Sequence, residues 1–453
     1  MNAVALRIRE VSLFERPVTL RLPFRFGAAT VTRCPQAFVR VDAEVGGRHV
    51  VGATAELMVP KWFDKSPSLT HEQNFEQLRE ALLLAREAWL SESGPATPYR
   101  LSQQQGDEAI TRGVALGLPR LAAQFGTALL DKAVADAALR AAGADWVTGV
   151  GAGVLGDPYS ARLPLRRATH VHLRHTVGLA DRLSEQDEGA DPHDGLPASL
   201  EAAIARHGLG FFKLKLSGRI DADLERLTRI AAVLDQAAGS DWQVTLDGNE
   251  TFASADALGA FWHALSQAPA LRRLMQRTLL LEQPLPRKIA LDESVARLDI
   301  PVPIILDESD DHDEAFDRGL ALGYRGISSK ACKGLYRSLR NALQVAEAPQ
   351  RRLLSGEDLT CQAGLAVQQD TLLAASLGVA HIERNGHHYV DGFGVAPPAE
   401  SQAFAAAHPG FYDTRGPRPR LAVHAGRLDL SSLHTAGFAS AAMPQWDSLT
   451  PIH

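Results

Sequence analysis

Apolar positions recur in three rhythms along the chain, and the rhythm changes twice. Over residues 3–14, Val4, Leu6 and Ile8 alternate with polar positions, the period of a strand. Phe38-Val39-Arg40-Val41 and His49-Val50-Val51 flank Gly46-Gly47, a dipeptide that supplies the positive φ of a tight hairpin turn. Pro23 to Gly27 and Glu56 to Lys65 read as surface loops carrying part-buried aromatics, Trp62 and Phe63 among them. From Thr70 the pattern turns helical: Phe75, Leu78, Leu82 and Ala85 recur at three- and four-residue spacing, with Thr70 as a cap. A break follows at Ser93-Gly94-Pro95, then helical stretches over 102–117 and 119–142, closed by Gly143. Strands followed by helices make residues 1–145 an α+β domain.

From about residue 168 the order becomes strand, helix, strand, helix. The strands predicted are 169–176, 211–216, 242–247, 278–282, 302–307, 326–330, 352–355 and 379–383. Helices are predicted over 198–207 and 221–238 and from Ser254. Ser184 to Pro197, acidic and rich in Gly and Pro, reads as an exposed insertion. No strand is followed by GxGxxG, so eight units predict an α/β fold with a (β/α) TIM barrel over 146–395, not a doubly wound sheet. Residues 396–453 show little helical pattern and are expected to leave the barrel and return to the first domain.

Composition narrows the function. The 453 residues are 45% apolar and 22% charged, with a net charge of −6 and both signs interspersed. That excludes a basic nucleic-acid surface and predicts no membrane partner. Cys34, Cys332 and Cys361 have no metal-ligand spacing, which fits a reducing compartment. No basic-then-apolar leader opens the chain and no 18-residue apolar run crosses it, so the expected location is cytoplasmic.

Candidate chemistry lies at the strand ends. Val244-Thr245-Leu246 ends in Asp247, Leu279-Leu280-Leu281 in Glu282, and Ile304-Ile305-Leu306 in Asp307-Glu308. The acids follow one another at 35 and 25 residues, about one barrel unit each, so they converge at one end of the barrel. Three converging oxygen ligands predict a hard cation, Mg²⁺. Lys213 and Lys215 lie two apart and so share one face of an otherwise apolar strand. Burying them costs too much unless they are used. Lys330 ends the sixth strand, across the barrel from Lys215, so one base stands on each side of a substrate carbon. Lys333 reads as structural or solvent-facing. Asp292-Glu293-Ser294 imitates the Asp307 motif but follows no strand and sits in a helical pattern.

In order, Lys213-Leu214-Lys215, Asp247-Gly248-Asn249, Glu282-Gln283-Pro284, Asp307-Glu308-Ser309 and Lys330-Ala331-Cys332-Lys333 resemble the enolase superfamily, in its mandelate racemase/muconate lactonizing enzyme family. The match is better to the muconate lactonizing branch than to mandelate racemase, and it spans the chain. It implies a modified barrel under an N-terminal α+β capping domain, with the C-terminal segment returning to that cap. It further implies Asp247, Glu282 and Asp307 as ligands of Mg²⁺ (or Mn²⁺), with Asn249 and Glu308 orienting the ligands or lysines. Lys215 would be the general base, Lys213 would polarise a substrate carboxylate, and Lys330 would be the second acid/base or an electrostatic stabiliser. The shared step is abstraction of the proton α to a carboxylate through a metal-stabilised enediolate. Racemisation, epimerisation or cycloisomerisation is expected ahead of acid-sugar dehydration. The partner is a small carboxylate substrate, and analogy suggests a homo-oligomer.

Gly334 is followed by Leu335 where that family has a second glycine, and strand seven ends in Glu357-Asp358 without the histidine of a racemase dyad. Candidate substrate contacts are Arg25, Phe26, Glu56, His175, Glu357, Asp358 and Glu383. Arg384, Asn385, His387 and His388 match no specificity motif. Two rivals use the same barrel. A Schiff-base aldolase on Lys215 or Lys330 leaves three acids unused. A non-catalytic metal- and acid-binding barrel leaves both base lysines unused.

Overall fold

A computed structural model describes residues 3–359 and 362–453, which leaves Cys361 outside the described residues. Strands β1 (Arg7–Phe26), β2 (Ala29–Val45) and β3 (Arg48–Leu57) form an antiparallel meander. Gly46 and Gly47 turn its second hairpin at φ 55° and 79°. Pro23 to Gly27 is not a loop. Val18, Leu20, Leu22, Phe24 and Phe26 are buried in strict alternation, and β1 runs on to its tip. Pro23 is tolerated because the ladder with β2 is irregular between Thr19 and Phe24, where no N–H is required of it.

Helix α1 (His71–Ser91) opens on a capping box between Thr70 and Gln73. The stretch predicted as one helix over 102–117 divides: Ser102–Gly106 is a π-helical turn, and α2 (Asp107–Ala115) follows. Helix α3 (Arg120–Ala142) is buried on nearly every side, between the meander and α1, and stops at Gly143, φ 62°. Two glycines permit that depth. A Cβ at Gly126 would stand 2.0 Å from the carbonyl oxygen of Ala81, and one at Gly52 would stand 2.1 Å from that of Ala133. Gly126→Ala is therefore expected to destabilise by about 1–3 kcal/mol despite alanine's better helix propensity. A urea unfolding curve checks this, and an unchanged midpoint would show that α1 and α3 can part freely.

Eight parallel strands close into a ring: β4 (His170–Val177), β5 (Phe211–Lys215), β6 (Gln243–Asp247), β7 (Thr278–Glu282), β8 (Ile304–Leu306), β9 (Gly326–Ser329), β10 (Leu353–Gly356) and β11 (His381–Glu383), with β11 paired back to β4. The register sets Lys215 beside Asp247 and Asp247 beside Glu282, so the polar strand ends share one level. Asp292 to Ser294 lies in turns rather than a helix, outside these strands.

The C-terminal segment differs from expectation. It contains a helix, Pro398–Ala407, and touches both halves of the molecule. Arg427–Asp429 pairs antiparallel with β4, and Thr450–Pro451 pairs with β1. Glu400 takes a two-pronged bond from Arg16 of β1, 2.7 Å at each oxygen. Cys34 and Cys332 are free and buried. Among the described residues, no helix is long and apolar enough to cross a membrane.

Candidate active site

The side chains of β5 alternate, and Lys213 and Lys215 point into the ring. Lys213 is 1% exposed, and an ammonium buried that far needs compensation. It has four partners. Its Nζ lies 2.9 Å from Asp247, 2.8 Å from Glu282, 2.7 Å from Glu357 and 2.9 Å from Glu383. Burial pulls this lysine down, but the four carboxylates outweigh it and hold the ammonium well above its ordinary pKa. Lys215 Nζ donates to Asp247 at 2.6 Å. Lys330 donates to Asp307 at 2.7 Å, and despite burial that carboxylate keeps it protonated above the usual lysine range.

The acids respond differently. Burial works against ionising Asp247 and Asp307, yet the lysines beside each hold it below the ordinary carboxylate value. Glu282 is pushed well above, first by burial, then by the charges of Asp247 and Glu357. Burial likewise raises Glu308, whose Oε1 accepts from Asn249 Nδ2 and Lys65 Nζ, each at 3.3 Å. Lys65 also reaches the Asn249 carbonyl at 2.9 Å and Glu250 at 2.6 Å, so the 56–65 segment is pinned over the strand ends. Aromatic rings close the top: Phe24 stands 5.8 Å from Lys215 Nζ, and Trp62 stands 4.3 Å from Lys330 Nζ.

The site can be tested for a cation. As the side chains stand, no three acidic, histidine or cysteine groups among the described residues close round one point. The Lys213 ammonium occupies the centre between Asp247 and Glu282, and Asp307 is turned to Lys330. The donor chemistry nevertheless suits a hard divalent ion. All three acids are carboxylates on successive strands, Glu282 Oε2 has no aligned hydrogen-bond donor, and crowded negative charge already resists its ionisation.

Residues 195–409 match the family profile described as enolase C-terminal domain-like. That segment, which holds most of the barrel, is thus enolase C-terminal domain-like. Solved structures of similar fold include a dipeptide epimerase from Cytophaga hutchinsonii complexed with Mg and D-Ala-L-Val (15% identity, 98% of each chain covered, TM-score 0.65). A mandelate racemase/muconate lactonizing protein from Herpetosiphon aurantiacus is 18% identical over 96% of this chain and 98% of its own, TM-score 0.63. An enolase from Bradyrhizobium complexed with magnesium and mandelic acid is 17% identical over 98% of this chain and 97% of its own, TM-score 0.60. At these identities the likeness is one of fold. No curated protein matches the sequence at a significant level.

The fold gathers most of the predicted residues and scatters the rest. Glu357 and Glu383 enter the centre as partners of Lys213. Asp358 lies just behind, accepting from Asn385 N at 2.9 Å. Lys333 is not solvent-facing. It is buried and braces the strand ends, 2.9 Å from the Ser328 carbonyl and 3.0 Å from Asp310. Arg25 is exposed, and Phe26 packs with Phe24, which alone of the three reaches a lysine. Glu56 pairs with Lys132 of α3 at 3.0 Å, among the cap's helices.

His175 does not face the lysines. Alternation on β4 turns Arg174 and Thr176 inward, where Arg174 bonds Glu357 and Thr176 bonds Glu383. That leaves His175 outward, with Nδ1 3.0 Å from His387 Nε2. Arg174 and Thr176 are therefore the inward residues that strand-one reasoning passed over, although Val171 and Leu173 already marked the outward parity. Trp62, Phe24 and Lys65 had no local signal, since their role depends on the cap meeting the barrel.

The outward histidines have a consequence for stability. Burial, then the charge of His207, depresses His175 to about 3, and burial with Arg206 depresses His207 to about 4, against an ordinary 6.5. His387 and His388 are also held well below, by burial and then His175. Below about pH 6.5 the unfolded chain binds protons that the folded rings refuse, so their stabilising effect is complete above 6.5 and is lost as pH falls toward 4. Acidification from pH 7 to 5 is expected to reduce stability by up to about 1.4 kcal/mol per pH unit for each ring. Urea midpoints across that range measure it, and a flat profile would show that the rings are not buried neutral.

Proposed function

We propose that the chain is an enzyme that removes the proton α to a substrate carboxylate and returns a proton to the resulting enediolate, in a Mg²⁺-dependent racemisation, epimerisation or cycloisomerisation. The observation that carries this reading is the placement of Lys215 and Lys330. They sit on strands four positions apart in an eight-membered ring, hence on opposite sides, with their ammonium groups at one level among the acids. Lys215, after releasing a proton to solvent, takes the proton from one face of the carbon and becomes an ammonium again. Lys330, as an ammonium, gives a proton to the other face. Lys213 sets its charge against the substrate carboxylate, beside Glu357 and Glu383. Asn249 and Lys65 fix Glu308. Phe24 and Trp62 exclude water above the lysines, which are only 7% and 4% exposed, so substrate entry requires the cap segments to open. Asp247, Glu282 and Asp307 would hold the Mg²⁺, and bound there it would supply positive charge for the developing enediolate. Mn²⁺ is expected to substitute.

Isomerisation is favoured over dehydration because the polar groups at the ends of strands seven and eight are engaged internally. Glu357 and Glu383 bond Lys213, and Asp358 bonds the Asn385 amide, so these strand ends offer few free groups to a polyhydroxylated acid. The dipeptide bound by the Cytophaga epimerase makes dipeptides the first class to try.

The test is deuterium uptake. The protein is incubated in D₂O with pooled dipeptides, N-acylamino acids and acid sugars, with Mg²⁺ or with a chelator, and each pool is read by mass spectrometry. A gain of one mass unit that requires Mg²⁺ is the expected result. Loss of water from an acid sugar would move the assignment to dehydratase. Failure to bind Mg²⁺ in a titration would overturn the proposal.

A further inference from the structure

A second cluster of charge lies on the flank of the barrel, away from the lysines. Helix Leu200–His207, the loop after β11 and residues 413–424 enclose a cavity of about 390 Å³. Four arginines line it, Arg206, Arg415, Arg418 and Arg420, against one acid, Asp413. On a chain with a net charge of −6 this is a concentrated positive patch. Two of the arginines are held in place: Arg415 by Asp413 at 2.7 Å, and Arg420 by Asp391 at 2.7 Å. Two are uncommitted. Arg206 makes no hydrogen bond or ion pair among the described residues, and Arg418 reaches only the Gly394 carbonyl at 3.5 Å and Asp391 at 3.8 Å.

Two histidines also stand in the wall of the cavity. His207 and His387 line it and are 9% and 4% exposed. His207 Nε2 and His387 Nδ1 are buried without a hydrogen-bond partner. Leaving such an atom unsatisfied costs about 1–3 kcal/mol. His387 spends its other nitrogen on His175, 3.0 Å away. Guanidinium groups recognise oxyanions in a two-pronged geometry. The volume suits a molecule the size of a sugar monophosphate.

We propose that this cavity binds a small dianion, carried by a phosphate ester or a dicarboxylate, at a site separate from the lysine centre. The uncommitted Arg206 and Arg418 grip the anion, and Arg415 and Arg420 add positive charge from the wall.

Calorimetric titration of the full chain with glucose 6-phosphate and with succinate tests this, at low and at high salt. The comparison is with the double variant Arg206→Gln, Arg418→Gln, whose exposed positions leave the fold intact, as an unchanged urea midpoint would verify. Binding of either probe that weakens at least tenfold in the variant, and falls with salt, is the expected result. Tighter binding of glucose 6-phosphate assigns a phosphate ester, and tighter binding of succinate a dicarboxylate. No heat from either probe at millimolar concentration, or equal affinity in wild type and variant, would overturn the proposal. Neither readout depends on the reaction proposed for the lysines, so the two readings fail separately.

Discussion

Lys215→Ala is expected to slow α-proton exchange by about 10²–10⁴-fold, the usual contribution of a positioned general acid or base. Lys330→Ala is expected to do the same for the opposite stereochemical face. The argument is geometric. Each lysine is fixed by its own carboxylate, Lys215 by Asp247 at 2.6 Å and Lys330 by Asp307 at 2.7 Å, on strands across the ring. A reaction needing both faces therefore stops in either variant. Exchange with one stereoisomer should survive in the variant that keeps the base on its side. Running each pure stereoisomer separately in D₂O with each variant gives a two-by-two pattern. Equal loss for both stereoisomers in one variant, with none in the other, would mean that a single lysine does the chemistry and the second is only an electrostatic partner.

Lys213→Met is expected to cost about 3–5 kcal/mol of stability in the absence of metal. Removing one member of a buried ion cluster leaves uncompensated charge. Here four carboxylates, Asp247, Glu282, Glu357 and Glu383, would lose the one ammonium common to them all. Methionine fills a similar length, so packing loss is minor and the effect reads charge. Mg²⁺ should restore much of the loss, because a divalent ion bound to the folded chain stabilises in proportion to the logarithm of its concentration over its dissociation constant. Urea unfolding of wild type and variant with and without Mg²⁺ makes the comparison. A variant as stable as wild type without metal would show that the acids do not depend on Lys213. A variant that Mg²⁺ leaves unrescued would remove the case for a cation among these acids.

The charged cluster at the strand ends is legible in the sequence because a barrel strand encodes its own end. A short apolar run followed by an acid fixes both the direction of the strand and the level of the carboxylate, so Asp247, Glu282 and Asp307 could be placed without coordinates. The two-residue spacing of Lys213 and Lys215 likewise fixed their shared inward face. Eight strands were legible for the same reason, with ends moved by a residue or two.

Parity at β4 differs from expectation. His175 was expected near the substrate, yet its outward position follows from Arg174 and Thr176 taking the inward face. The tip of β1 is strand rather than the expected loop because alternation from Val18 to Phe26 buries one face of it. The helix at Pro398–Ala407 has little local signature because its apolar residues do not form a clean stripe.

What the chain's sequence determined, then, is local and periodic: which segments are strands, where they end, and which side chains share a face. The tertiary structure alone decided what those side chains meet. That Lys213 sits among four acids at the ends of four other strands, that Phe24 and Trp62 close over Lys215 and Lys330, and that Arg206 and Arg418 share a cavity with His387 all depend on contacts between residues far apart in the chain. Burial then sets the charge state of each group, and burial is a property of the packed whole that no run of residues carries by itself.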